Sequence, residues 1–462
     1  MKFFFILLIL VLTYFAGNLY RYELPSEISQ PQVTSTHLPI ISITFESITT
    51  KGKRPGWIEV ISENPLEKMG PYPIAIESSG NTAIRFPKKR LSFQFGKKSN
   101  WLEGTSRKML DLRSDDDWVL DGTYRDRLLF RNKLNHDLYT DLRGKKETIS
   151  SRFVEVYINN DFEGVYILSE RIDRKQLGLP KRSEISIKEL VVKYFEQVSH
   201  SAKNYYIHRL NRMIYRTIIK FRRATTHPEK LDTVLYKASL AGANLKINNP
   251  MMTGFYQKYP HEKYGPDSSN LTDFILFINN STIGDFRKNI WKYLDRGATL
   301  DYLYFMLLNT GYDNMQANYY LQFFDKKFKF IPWDLDGTLG RQGSDNRVLI
   351  KFDTWRFSSN GLFLRLFRGD DPQFLRDLID GWFKKRRNLF SKESLNSRFN
   401  KYYSNLEKSD ALYRNHKRWG FLENKSELDK VSQINELRDW IDKRLKFVDQ
   451  KLRKVRADLL DK

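Results

Sequence analysis

Residues 311–340 read GYDNMQANYYLQFFDKKFKFIPWDLDGTLG. An apolar helical run, LDYLYFMLLNT (300–310), leads into this stretch, and the chain then turns at Gly311 and presents Asp313. It reaches Asn318 immediately before the β-type segment YYLQFFD. A second strand, KKFKFIP, ends in Asp334 and Asp336 and breaks at Gly337. Alternating carboxylates at a strand end form a hard oxygen site for a cation such as Mg²⁺, because two neighbouring carboxylates repel unless a cation or a proton intervenes. The reading is therefore α+β, with carboxylates held where helices and strands end.

Working outward, residues 38 to 175 are mostly β. PIISITFESI, GWIEVIS, YPIAIES and RLSFQF read as strands, and FVEVYI and VYILSERI flank the turn NNDFEG as a hairpin. One helix interrupts them, LLFRNKLNHDLYTDL, with Phe130, Leu134, Leu138 and Leu142 on one face. Residues 176–227 form a basic helical insertion in which Ile207, Leu210, Ile214, Ile218 and Phe221 step by three and four between cations. Residues 228–384 form a helical part that carries the acidic motifs. Residues 385–462 are C-terminal helices, with a stripe of Leu437, Ile441, Leu445, Val448, Leu452, Val455 and Leu459.

The first residues, MKFFFILLILVLTYFAG, place Lys2 ahead of an unbroken apolar run. Residues 1–19 are expected to act as a signal peptide or signal anchor, with 20–37 as a tether and the body membrane-anchored or secreted, outside the cytoplasm. Composition narrows the chemistry. The 462 residues contain no cysteine, which removes disulfide scaffolds, Cys-ligated zinc or iron–sulfur sites and Cys nucleophiles. A formal net charge of +23 fits a nucleic-acid, acidic-lipid or acidic-protein partner as well as a solvated basic surface, and with no zinc-finger or RRM signature beside it nucleic acid is not expected. Only 7 His occur, none in a nucleophile-elbow or H-E-x-x-H context.

The parts fit phosphoryl transfer. The Asp313-to-Asn318 spacing is that of the kinase D-x-x-x-x-N loop, and Asp334 with Asp336 supplies carboxylates for a metal that bridges nucleotide phosphates. With these motifs the chain resembles the spore-coat protein H (CotH) kinases. The blocks that carry the resemblance are SGNTAIRFPKKRLSFQF, LLFRNKLNHDLYTDL, SSRFVEVYINNDFEGVYILSERID, VLYKAS, LTDFILFINN, YDNMQANYYLQF and FKFIPWDLDGTLGR, over roughly residues 75 to 345.

The resemblance implies an atypical, two-lobed protein-kinase-like fold with a β-rich small lobe and a helical large lobe. It implies transfer of the ATP γ-phosphate to protein Ser/Thr hydroxyls with Mg²⁺ or Mn²⁺. It makes Asp313 the catalytic-loop Asp, and Asn318, Asp334 and Asp336 the metal residues. Gly80 and Asn81 match its phosphate-cover segment, although Ser79 stands where relatives carry Arg, and Gln94 where they often carry a basic residue. For the nucleotide lysine the order of expectation is Lys89, then Lys88, then Lys237. Glu170 is expected at adenine or ribose, and Glu155 and Arg131 also match family positions.

Two other readings compete. One is a surface-anchored pseudokinase that binds partners without transfer. The other is a haloacid-dehalogenase-type phosphatase with Asp334 as nucleophile, because strand plus DLDGTL matches that motif. The latter lacks a G-D-x-x-x-D strand end, since RGDDPQFLRD places Phe374 where the second Asp should stand.

Overall fold

The computed structural model describes residues 23–25, 37–46, 52–80, 82–180, 231–239, 241–246, 254–261, 267–311, 313–341 and 351–460. The expected N-terminal signal or anchor, nearly all of the tether, most of the basic insertion and Asn81 lie outside the described residues. Among the described residues no helix is long and apolar enough to cross a membrane.

The chain is a mixed α+β structure. Strands β1 (Ile40–Phe45), β2 (Arg54–Ile61), β3 (Met69–Ser78) and β4 (Leu91–Phe95) come first, followed by the two-residue pair β5 (Arg107–Lys108) and β6 (Ser114–Asp115). Then follow β7 (Asp117–Asp121), β8 (Ser151–Ile158) and β9 (Asp161–Ser169). Seven of them close into a barrel in the order β1-β2-β3-β4-β7-β9-β8, in which the parallel pairing of β1 with β8 makes the closure. The period-two pattern fills the interior: Ile41 and Ile43, Ile74 and Ile76, Phe93 and Phe95, Trp118 and Leu120 all point into one apolar cluster.

The outer faces of β8 and β9 are buried as well, with Phe153, Val165 and Ile167 belonging to the core of the helical body. This double burial explains why those two segments read as nearly continuous apolar runs rather than alternating ones. The hairpin between them turns on Asn159 and Asn160, both at positive φ (50° and 72°), a backbone that Asn tolerates.

Helix α1 (Arg131–Arg143) bridges the two parts. Phe130, Leu134 and Leu138 are fully buried and Leu142 packs beside them, as the fourfold spacing requires. The helical body is built around an antiparallel sheet, β11-β10-β12-β13, from β10 (Val234–Ala238), β11 (Phe255–Tyr259), β12 (Tyr319–Phe324) and β13 (Lys327–Pro332). Asp325 and Asp-following Lys326, both at positive φ, form the β12–β13 turn.

Around this sheet lie α2 (Ser269–Asn280), α3 (Ile283–Tyr293), α4 (Arg296–Asn309), α5 (Gly361–Arg368) and α6 (Pro372–Arg386). They are followed by α7 (Lys392–Lys408), α8 (Ala411–Arg418), α9 (Leu428–Ser432) and α10 (Ile434–Leu460). Helix α4 is buried on nearly every side, capped by Asp295 at its start and ended by Thr310 in the left-handed region. Leu437, Ile441, Leu445, Val448 and Leu452 of α10 enter the same core as α4, so the C-terminal helices are packed into the helical body.

Candidate active site

The two motif arms lie side by side because asparagine side chains hold their backbones together. At Gly311 an added Cβ would come within 2.6 Å of Asn314 Oδ1, so the turn needs glycine. The Gly311 N–H donates to Asn309 Oδ1 at 2.9 Å. Residues Asp313–Met315 make one 3₁₀ turn. Buried Asn314 donates from Nδ2 to the carbonyls of Asn318 (2.6 Å) and Trp333 (2.8 Å), and the Tyr302 hydroxyl donates to Asn314 O at 2.8 Å. The Trp333 N–H also donates to Asn318 O at 3.0 Å.

From the other side, helix α1 grips the second arm. Asn132 Oδ1 accepts from the Leu335 N–H at 2.9 Å, while its Nδ2 donates to Asp121 at 2.6 Å. Asn135 donates to Leu335 O and to Thr338 Oγ1. Thr310, Asn318, Asp334 and Leu339 all have φ between 51° and 60°. Several non-glycine residues held in the left-handed region within one site are costly and persist only where the surrounding structure determines them, a habit of functional sites.

The electrostatics show one acidic cluster. Asp313 is exposed at the rim, yet loss of solvent to the surrounding protein raises its pKa; the Asp334 carboxylate adds to the rise and Arg125 opposes it. Burial pushes Asp336 up to about 7, with Asp334 and Asp121 adding and Arg125 opposing. A shift as large as that of Asp336, produced by burial together with a neighbouring charge, is common at functional sites.

Cations face the cluster from both parts of the molecule. Arg90, just before β4, pairs with Asp334 at 3.6 Å. Lys237 of β10 is pushed down to about 8 by burial; Asp334 opposes the fall, while Lys258, Arg90 and Arg171 add to it. The Trp333 ring stands between two of them, 5.1 Å from the Arg90 guanidinium and 5.8 Å from the Lys237 ammonium. Arg90 and Arg171 come from the barrel side and Lys237 and Lys258 from the helical body.

The expected residues divide into two groups. Asp313, Asp334, Asp336 and Asn318 come together through the contacts above. Gly80 sits at the end of β3 at φ +92°, one residue after Ser79, whose N–H bonds to Arg90 O at 2.8 Å, so the glycine turn is adjacent to the Arg90 backbone. Lys89 and Lys88 are elsewhere. Lys89 donates to Ile84 O at 2.9 Å. Lys88 is buried and donates to Val165 O and to Asn415 Oδ1, and burial lowers its pKa to about 7. The cation that the structure brings to the acidic pair from that segment is Arg90, and of the three lysines considered it is Lys237 that lies in the same field.

Glu170 is buried and accepts from the N–H groups of Ser150 (2.8 Å) and Arg113 (3.1 Å), a bracing role inside the barrel end. Glu155 pairs with Arg414 of α8. Arg131 is buried against Asp126. Asn132, Asn135, Asn309, Asn314, Asp121 and Arg90 escaped sequence reasoning. For Asn132 and Asn135 a signal existed, namely two amides three apart beside the apolar face of a helix.

Among the described residues no group of three or more His, Asp or Glu forms a ready metal cage. The donor set nevertheless suits a hard divalent cation, because burial first and the neighbouring Asp334 carboxylate second raise the pKa of both Asp313 and Asp336, a charge balance that a bound cation would relieve. Mg²⁺ is commonly held by one or two carboxylates plus substrate phosphates rather than by a closed protein cage.

A family model described as "CotH kinase protein" matches residues 76–448. The chain is also similar to "Inner spore coat protein H" of Bacillus subtilis (strain 168), 25% identical over 233 residues. That match covers 50% of this chain and 51% of the relative, so the chain spans about half the length of the curated relative it matches.

Proposed function

The chain belongs to the CotH kinase protein family, and from that premise we propose that it is an atypical kinase that transfers the γ-phosphate of ATP to Ser or Thr hydroxyls of a protein, with Mg²⁺ or Mn²⁺. One observation carries the reading: the carboxylates of Asp313, Asp334 and Asp336, two of them with raised pKa values, share one field with Arg90 from the barrel side and Lys237 from the helical body. Carboxylates for a cation and cations for phosphate oxygens are what a metal–polyphosphate needs on its two sides.

In this reading Asp313 accepts the proton of the acceptor hydroxyl, a task its raised pKa favours. The hydroxyl oxygen bonds to the γ-phosphorus as the bond to the β-bridging oxygen breaks. Asp334, Asp336 and Asn318 would hold the divalent cation, which supplies charge neutralisation at the phosphates. Arg90 and Lys237 hold the phosphate oxygens, and Gly80 allows the chain to approach them closely. The phosphatase reading leaves Asp313 idle although it lies within the field of Asp334, so it is the weaker account.

The relative's name places it in a spore coat, and with the N-terminal apolar run this supports a position outside the cytoplasmic membrane for this chain. Protease added to intact cells should digest the body, and complete protection would overturn that address. The kinase assignment is tested by incubating the protein with γ-labelled ATP, Mg²⁺ or Mn²⁺ and a Ser/Thr-containing protein. Asp313→Asn should keep nucleotide–metal binding and lose transfer by ~10²-fold or more. A folded, nucleotide-bound Asp313→Asn that transfers at the parent rate would refute it.

A further inference from the structure

A second concave surface lies away from the acidic site, on the other face of α1. It is a groove of about 1120 Å³ between α1, α7 and the barrel, with Leu38, Phe153 and Tyr402 among its lining. One wall is a stripe of α7: Ser394, Ser397, Lys401, Ser404 and Lys408, spaced by three and four so that they share one side of the helix. No carboxylate falls in that stripe.

The three acids in the lining are already engaged. Asp137 pairs with Lys133 at 2.6 Å, Asp141 with Arg398 at 2.5 Å and Asp111 with Arg152 at 2.5 Å. Lys401 and Lys408 are exposed and have no ion-pair partner among the described residues. The groove therefore offers unneutralised positive charge and hydroxyl donors on one wall, above a bottom closed by buried Leu38, Phe153 and Tyr402.

We propose that this groove binds an extended anionic segment of a protein partner, with acidic residues at every third position. Spacing decides the pattern. Seven residues separate Lys401 from Lys408, so along the helix axis they lie ~10.5 Å apart. A polyproline-type extended segment repeats its face every three residues, over ~9.3 Å, which flexible lysine side chains match. Carboxylates at i and i+3 then meet the two ammonium groups, and the serine hydroxyls of the stripe can donate to the same segment. Binding of this kind needs none of the chemistry at Asp313.

The test uses the full chain and a fluorescein-labelled (Glu-Ala-Pro)₄ peptide, which carries no acceptor hydroxyl and so is no phosphotransfer substrate. Fluorescence anisotropy should show saturable binding that weakens with salt, and no binding of (Gln-Ala-Pro)₄. The surface double variant Lys401→Glu/Lys408→Glu should bind at least about tenfold more weakly, a loss of ~1.4 kcal/mol. Asp313→Asn should bind as the parent does, which keeps this result separate from the kinase assignment. Equal binding of the two peptides, no binding of either, or a double variant that binds as the parent does would each overturn the proposal. So would charge-dependent capture by phosphatidylserine vesicles with peptide binding unaffected by the double variant, since that would assign the lysines to a membrane.

Discussion

Removing one buried amide should unfasten the site without touching any residue in a proposed chemical role. Asn314→Ala takes away the donor that Asn318 O and Trp333 O share. The two losses are unequal. Asn318 O keeps the Trp333 N–H at 3.0 Å and so forfeits one neutral hydrogen bond, about 0.5–1.5 kcal/mol. Trp333 O is left without that donor in a buried place, at about 1–3 kcal/mol. Together the variant should lose ~1.5–4.5 kcal/mol, and for a folded body of this size each kcal/mol lowers Tm by roughly 1–2 °C. Tyr302→Phe, which removes only the bond to Asn314 O, should lose about 1 kcal/mol. Differential scanning calorimetry of the two variants measures this order. ATP–Mg²⁺ stabilisation should also shrink in Asn314→Ala, because the arms bearing Asp313 and Asp334 lose the side-chain tie to Trp333 O and keep only the Trp333 N–H bond to Asn318 O and the strand pairing beyond it. An Asn314→Ala protein with parent Tm and parent nucleotide response would refute the claim that this amide holds the arms together.

Two further outcomes follow from the charges. Asp336 is raised to about 7, so its contribution to stability is fully present below the ordinary carboxylate pKa and is lost as pH rises through about 7. The metal-free chain should therefore melt at falling temperature between about pH 4 and pH 7, Asp336→Asn should flatten that fall, and Mg²⁺ should raise Tm most above pH 7; a metal effect unchanged at pH 5 would contradict the assignment. Among the cations, Arg90→Ala and Lys237→Ala should each weaken ATP–Mg²⁺ binding by ~10-fold or more, as expected for a lost charge-assisted contact, whereas Lys89→Ala should leave the Kd nearly unchanged. Isothermal titration on the three variants checks this, and a large loss at Lys89 alone would restore that lysine to the nucleotide.

How far the sequence carried the reading depends on the range over which each feature is determined. Strand alternation, the spacing along α1 and the turn at Asn159–Asn160 are local, and they were legible because the period of the chain fixes which side chains face inward. Barrel closure was not legible: it rests on β1 lying parallel to β8, more than a hundred residues later, and no local pattern encodes that contact. The same limit explains the lysine. Lys88, Lys89 and Arg90 precede β4 in irregular backbone, where no periodicity tells which of three consecutive cations turns toward Asp334. Asp121 shows the limit most clearly, for DWVLDGT ends a strand in Asp-Gly-Thr much as WDLDGT does, yet only the fold carries it to Asn132 and into the field of Asp336. A carboxylate that raises the pKa of a proposed metal residue from the barrel side makes the acidic cluster a joint property of both parts of the molecule. Displacing α1, which holds Asp121 through Asn132 Nδ2 and Leu335 through Asn132 Oδ1, must then change the charge balance at Asp336 even though no residue of the two motifs has moved in sequence.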